Sequence, residues 1–138
     1  MSQNQPARLE HILRIDWSEL DLFGHVNNVS FFKYIQSARV NFWEVTGIIS
    51  SFGESKIGPI LASCSCNFRK PLLYPGKVHV HTEIIQLGTT SFTMQHTLKN
   101  SENEVVAEAQ DVVVIFNFQL HEKVTISDEL RTKFNPKF

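Results

Sequence analysis

The chain is short of several things, and each shortage excludes something. Cysteine is one: Cys64 and Cys66 are its two copies, two positions apart in an apolar run. In a strand such a pair points to one side. A bridge between them is not expected in a reducing compartment, and two thiols are too few ligands for a structural metal. Both are expected as buried structural residues, and no metal or other cofactor is expected. Excess charge is also missing. With a net charge of -1, electrostatics favours neither a nucleic-acid nor an anionic-membrane partner, although a local basic patch for a phosphorylated ligand stays open. No apolar run approaches the roughly 20 residues that span a bilayer. The opening MSQNQPARLEH is polar and has no signal-peptide core. The expectation is a cytoplasmic protein outside the membrane. Repeats, low-complexity tracts and Gly/Ser linkers are lacking too. One domain over residues 1–138 is expected, with a core from about 8 to 118 and a polar C-terminal tail.

What the chain has in plenty is phenylalanine, with 11 copies. That points to an aromatic core, interface or ligand tunnel. Residues 9–17 (LEHILRIDW) alternate as a strand does. A turn-rich stretch with Gly24, Asn27 and Asn28 follows. From about Ser30 to Thr46 the period becomes helical, with Phe31, Ile35, Ala38, Phe42 and Val45 on one stripe. Phe32 and Trp43 widen that stripe. Asn28 or Ser30 is placed to cap the helix start, and Gly47 to end it in a left-handed turn. After a loop over Ser50 to Gly58, four strands are expected: about Ile60–Arg69, one from Val78, Thr90–Lys99 and Val105–Phe118. The tail from His121 is expected to be polar, with one helical turn near Asp128. This order gives an α+β fold, one long helix on a five-stranded, mostly antiparallel sheet. A single helix cannot cover both sheet faces, so a second subunit is expected on the other face or an edge.

Chemistry concentrates in residues 15–45. Asp21 lies just upstream of the helix N-terminus, where unpaired N–H groups carry roughly half a positive charge. Such a terminus can polarise a carbonyl oxygen. A carboxylate beside it can attack the carbonyl or activate a water. Gly24 permits a tight turn and close approach of a ligand. These parts suit acyl-group hydrolysis, and they equally suit an ordinary turn and cap. Asp16 and Glu19 flank Asp21 and are expected to face solvent. His79 and His81 share one strand face, where a half-exposed sheet surface is the simpler reading than a metal site.

Asp21-x-x-Gly24-His25-Val26-Asn27-Asn28, with Tyr34 and Ala38-Arg39 on the helix, resembles the 4-hydroxybenzoyl-CoA thioesterase family of hotdog proteins. Asn67-Phe68-Arg69-Lys70-Pro71-Leu72 is similar to the stretch that closes a strand in that family. The resemblance spans about residues 8 to 118. It implies a hotdog fold, a homodimer or homotetramer with sites at subunit interfaces, and metal-free hydrolysis of acyl-CoA or acyl-carrier-protein thioesters. By position, Asp21 is then the nucleophile or general base. The backbone N–H near Asn28 grips the thioester oxygen, a donor worth about 3 kcal/mol in the transition state. His25 binds substrate, orients Asp21 or holds the loop. Gly24, Asn27, Arg69 and Lys70 are candidate substrate-binding residues; for Arg69 and Lys70 surface solvation is the alternative, for Asn27 and Asn28 loop-closing hydrogen bonds. Where some family members carry basic residues toward the CoA phosphates, this chain has Leu87-Gly88-Thr89-Thr90. An acyl-thioester hydratase and a non-catalytic acyl-CoA-binding module are the competing functions; the spacing Asp21-x3-His25 speaks against the hydratase.

Overall fold

The computed structural model describes residues 8–49 and 55–134. Strand β1 (Arg8–Arg14) leads through a 3-10 turn (Trp17–Glu19) into helix α1 (Asn28–Thr46). Strands β2 (Ile57–Phe68), β3 (Lys77–Leu87), β4 (Ser91–Lys99) and β5 (Val105–Asn117) follow. A short strand β6 (Glu122–Lys123) and helix α2 (Asp128–Phe134) complete the described chain. The sheet runs β1-β3-β4-β5-β2, and β6 pairs with the far end of β5. Every strand pair is antiparallel. The expected five strands therefore gain a sixth, two residues long. This is the α+β hotdog arrangement, a long helix wrapped by an antiparallel sheet.

Period-2 patterning decides which sheet face meets α1. Val78, Val80 and Ile84 of β3, Phe92, Met94 and Leu98 of β4, and Ala109, Val113 and Ile115 of β5 are all buried. On the helix, Phe31, Tyr34, Ile35, Ala38 and Phe42 are buried against them. Trp43 widens the stripe as expected, but at its end the stripe rotates: Val45 is exposed and Thr46 is buried instead. Phe32, expected to widen the buried stripe, is 39% exposed. Each fully buried side chain of this size contributes about 1.5–3 kcal/mol.

The polar tail is corrected most. Its helix packs Phe134 into the core, with ring centroids 4.6 Å from Phe92 and 5.9 Å from Phe42. Ile126 is buried beside it. A few apolar residues at the right spacing outweigh the mean polarity of the segment, so the core extends past residue 118 to Phe134. The expected loop of residues 50–58 is also shorter than read, because β2 begins at Ile57; residues 50–54 of it lie outside the described residues.

A polar network crosses this core. His96 Nε2 lies 2.7 Å from Asp111 Oδ2, and Thr82 Oγ1 lies 2.8 Å from His96 Nδ1. Arg39 Nε donates to the same Asp111 oxygen at 2.8 Å. Thr82, His96 and Asp111 are buried. Burial works to raise the Asp111 carboxyl, but hydrogen bonds from His96 and Arg39 outweigh it and hold the group at about 2. Cys64 and Cys66 face the same side, half-buried rather than fully buried, and are not bridged. The Cys64 thiol is pushed up to about 12 by burial and by the neighbouring Asp111 carboxylate.

Candidate active site

Residues 16 to 28 form a loop tied at several levels. Asp16 caps the 3-10 turn: its side chain accepts from Ser18 N–H, and Glu19 Oε1 accepts from Asp16 N–H at 2.9 Å. This is a reciprocal capping box. Leu20 and Val26 then bridge, and Asp21 N–H donates to the His25 carbonyl at 2.6 Å. Between them Gly24 turns with φ 82°, a left-handed conformation that favours glycine. The chain closes where Asn27 N–H donates to the Glu19 carbonyl at 2.9 Å.

The cap of α1 is Asn27, not Asn28 or Ser30. Its side-chain oxygen accepts from Ser30 N–H at 2.8 Å. Asn28 is the first helical residue. Its backbone N–H belongs to the first turn, which has no partners inside the helix. At the other end Gly47 takes φ 74° and donates to the Trp43 carbonyl at 3.1 Å, the expected left-handed cap.

Asp21 is exposed, and its Oδ1 accepts from Phe23 N–H at 2.8 Å and His25 N–H at 3.0 Å. Both bonds fall on one oxygen, so Oδ2 is free to face a ligand. The His25 N–H, more than any other group, holds the carboxyl below the ordinary carboxylate range, so Asp21 is ionised at neutral pH.

The loop is also stitched to the chain after β2. Val26 N–H donates to the Leu72 carbonyl at 2.8 Å, and His25 bridges Leu73. This explains why a Pro71-Leu72 sequence matters so far from Asp21: its backbone is a docking rail for the loop. The docking brings Arg69, Lys70 and Pro71 beside Asp21.

The result is an open cleft of about 270 Å³ lined by Asp21, His25, Asn28, Phe31, Phe68 and Arg69–Pro71 among others. Of the residues singled out from the sequence, Asp21, His25, Asn28, Arg69 and Lys70 thus share one cleft. Gly24 shapes the loop behind it, and the Asn27 side chain is committed to the cap. Arg69 and Lys70 are exposed and pair with Glu108 and Glu104 at 2.9 and 2.7 Å. Phe31 and Phe68 meet edge to face at 5.1 Å, giving the cleft an aromatic wall that the Phe count alone could not place.

One sequence expectation fails here. Glu19, expected in solvent, is 7% exposed. It accepts from the Tyr34 hydroxyl at 2.6 Å and from Lys33 Nζ at 3.2 Å. The spacing Asp16-x-x-Glu19 was the available signal, since the glutamate of a capping box folds back onto the cap backbone instead of extending into solvent. His79 and His81 lie half-buried on one sheet face, as expected, with Glu10 Oε2 at 3.2 and 3.4 Å, brought across by the β1–β3 register. Even so, among the described residues no group of three or more His, Cys, Asp or Glu side chains is arranged to hold a metal. Nor, among the same residues, is any helix long and apolar enough to cross a membrane.

An antiparallel sheet wrapped around one long helix defines the class, a hotdog fold of the thioesterase type. The chain belongs to the thioesterase-like superfamily, whose family model matches residues 15–134. Among curated proteins it is similar to the long-chain acyl-CoA thioesterase FadM of Escherichia coli, 22% identical, with 88% of this chain and 92% of that protein covered. Among solved structures it resembles the PA2801 protein of Pseudomonas aeruginosa, with a TM-score of 0.80, 27% identity, and 88% and 94% of the two chains covered. The gentisyl-coenzyme A thioesterase BH1999 is similar at a TM-score of 0.79 and 25% identity, with 91% of this chain and 99% of that one covered.

Proposed function

We propose that the chain, acting as one domain in the cytoplasm, hydrolyses an acyl-CoA thioester to the free acid and thiol, with Asp21 at the centre of the reaction. The observation that carries this reading is the shared cleft: a free Asp21 oxygen and Asn28, the first residue of α1, open onto the same space. The Asn28 backbone N–H is the donor to the thioester oxygen, where a helix terminus polarises the carbonyl. Ionised Asp21 then serves either as nucleophile, releasing thiolate and leaving an anhydride that water opens, or as base toward that water. His25 lies where it can touch substrate, and its backbone already orients Asp21. Arg69 and Lys70, at the cleft lip, are candidates for the phosphates of CoA. Gly24 and Asn27 keep the loop close enough for the ligand to approach. The likeness of the motif to the 4-hydroxybenzoyl-CoA thioesterase branch supports the same assignment.

A homodimer or homotetramer completes the reading. The cleft is open on one side, and β2 is an edge strand with Ile60, Leu61 and Phe68 exposed. Unpaired apolar edges of this kind call for a partner.

The test is thiol release over benzoyl-, hexanoyl- and palmitoyl-CoA and the matching acyl-carrier proteins. Hydrolysis by the wild type and its loss in Asp21→Asn are expected. Binding without hydrolysis across the whole panel would favour a non-catalytic module; full activity in Asp21→Asn would remove Asp21 from the mechanism.

A further inference from the structure

Glu19 is the buried titratable group nearest in the chain to Asp21 that the proposed chemistry leaves unused. A carboxylate is costly to bury and persists only when its oxygens are well partnered. Here both are. Oε1 accepts from Asp16 N–H at 2.9 Å and from Tyr34 Oη at 2.6 Å, and Oε2 faces Lys33 Nζ at 3.2 Å. The capping box alone needs just the first of these bonds. The other two come from α1. Tyr34 is itself buried within the helix core, 1% exposed, so its hydroxyl is a fixed point. Burial and the adjacent Glu19 push the Tyr34 phenol far up, which keeps it a hydrogen-bond donor.

The position of Glu19 gives this anchorage its meaning. Asp21 is two residues further on. The Glu19 carbonyl accepts from Asn27 N–H, and Asn27 is the helix cap. One residue therefore holds both ends of the Asp21 loop: its backbone ties the exit, and its side chain ties the entry to the second turn of α1. The loop hydrogen bonds at Leu20–Val26 and Asp21–His25 fix the loop's internal shape but not its height along the helix axis. The Glu19–Tyr34 bond supplies a fixed reference for that height.

We propose that Glu19 and Tyr34 form a positioning clamp that sets the Asp21 carboxylate against the N-terminal amides of α1. This rests on the thioesterase reading above. Neither residue touches substrate; both act through Asp21.

Tyr34→Phe removes one hydroxyl and leaves the ring packing intact. The expected result is a fall in kcat of about 10-fold or more with KM nearly unchanged, because small misplacements of reacting groups are costly to rate. Backbone amide exchange over residues 20–27 should accelerate while the sheet stays protected. Glu19→Gln, whose amide oxygen can still accept from Tyr34, should keep most of the activity that Glu19→Ala loses. Unchanged kcat in Tyr34→Phe would overturn the clamp. So would exchange that accelerates throughout the molecule with kcat and KM moving together, since that is the mark of general loosening. If the wild type releases no thiol from any substrate, the thioesterase reading fails, and the exchange measurement still decides whether the clamp holds the loop.

Discussion

Two aspartates show how one chemical group is put to opposite uses. Asp21 sits in an exposed loop, held by two backbone N–H groups on a single oxygen. Asp111 is sealed in the core, held by the charged Arg39 and by His96. Both are kept below the ordinary carboxylate range, by different means. For Asp21 the backbone of its own loop is enough. For Asp111, strong partners must overcome burial. A carboxylate held by a few peptide groups at the surface keeps a free oxygen and access to a ligand. One held by side chains in the interior also leaves an oxygen without a hydrogen-bond partner, Oδ1, but has no access to a ligand, and its partners join α1, β4 and β5 instead. The lesson is that neither a lowered carboxyl nor an unpartnered oxygen is a mark of function by itself; access separates the two.

The comparison can be broken most forcefully at Asp21. Asp21→Asn should cut kcat by about 10²- to 10⁴-fold, the range for losing a positioned base, with no shift in the urea midpoint. A shift in unfolding with intact kcat would reverse the two roles. Asp111→Ala should do the converse. It strands Arg39 beside an emptied core position, and breaking a buried pair in this way costs about 3–5 kcal/mol. Urea unfolding measures that loss, and the residual folded enzyme should keep its KM. Phe134→Ala should cost about 3 kcal/mol by opening a cavity against Phe42 and Phe92. A fall much smaller than that would mean that the tail helix merely rests on the surface.

Acidity sharpens the contrast more gently. The Asp111 carboxyl is lowered in the folded protein, to about 2. Its contribution is therefore present above the unfolded carboxylate pKa, near 3.9, and is lost as pH falls through about 2. Unfolding measured between these limits should show stability draining away with acid in the wild type, and a shallower acid slope in Asp111→Ala. Tyr34→Phe should reduce turnover as above, and the loss of one hydrogen bond to a buried carboxylate should cost about 1–3 kcal/mol in urea unfolding.

Much of this was readable from the sequence because it depends on short-range spacing. The helical stripe from Phe31 to Phe42, the alternation of β3 and β4, the Gly47 cap and the Asp21–Asn28 segment are all local patterns, and the structure has them where the spacing put them. What escaped depends on distant parts of the chain meeting. His96 reads as one more inward position of β4. Its pairing with Thr82 and Asp111 exists only once three strands are in register. The docking of Val26 on Leu72 is likewise invisible until the chain folds back. Phe134 was hidden for a different reason: a mean over a polar tail conceals one buried ring. Glu19 was the one miss with a local signal, the reciprocal cap with Asp16.

The strand order carries a consequence for how the molecule is made. Strand β2 is the next long element after the helix, yet among the described residues its only strand neighbour is β5. A ribosome delivers α1 early, and its apolar side has no complete cover until the last long strand emerges. The intervening period leaves a greasy helix and an unpaired strand on a nascent chain, with sequence-distant contacts still to form. Growth temperature and chaperone supply should therefore govern the yield of this protein more than its final stability does.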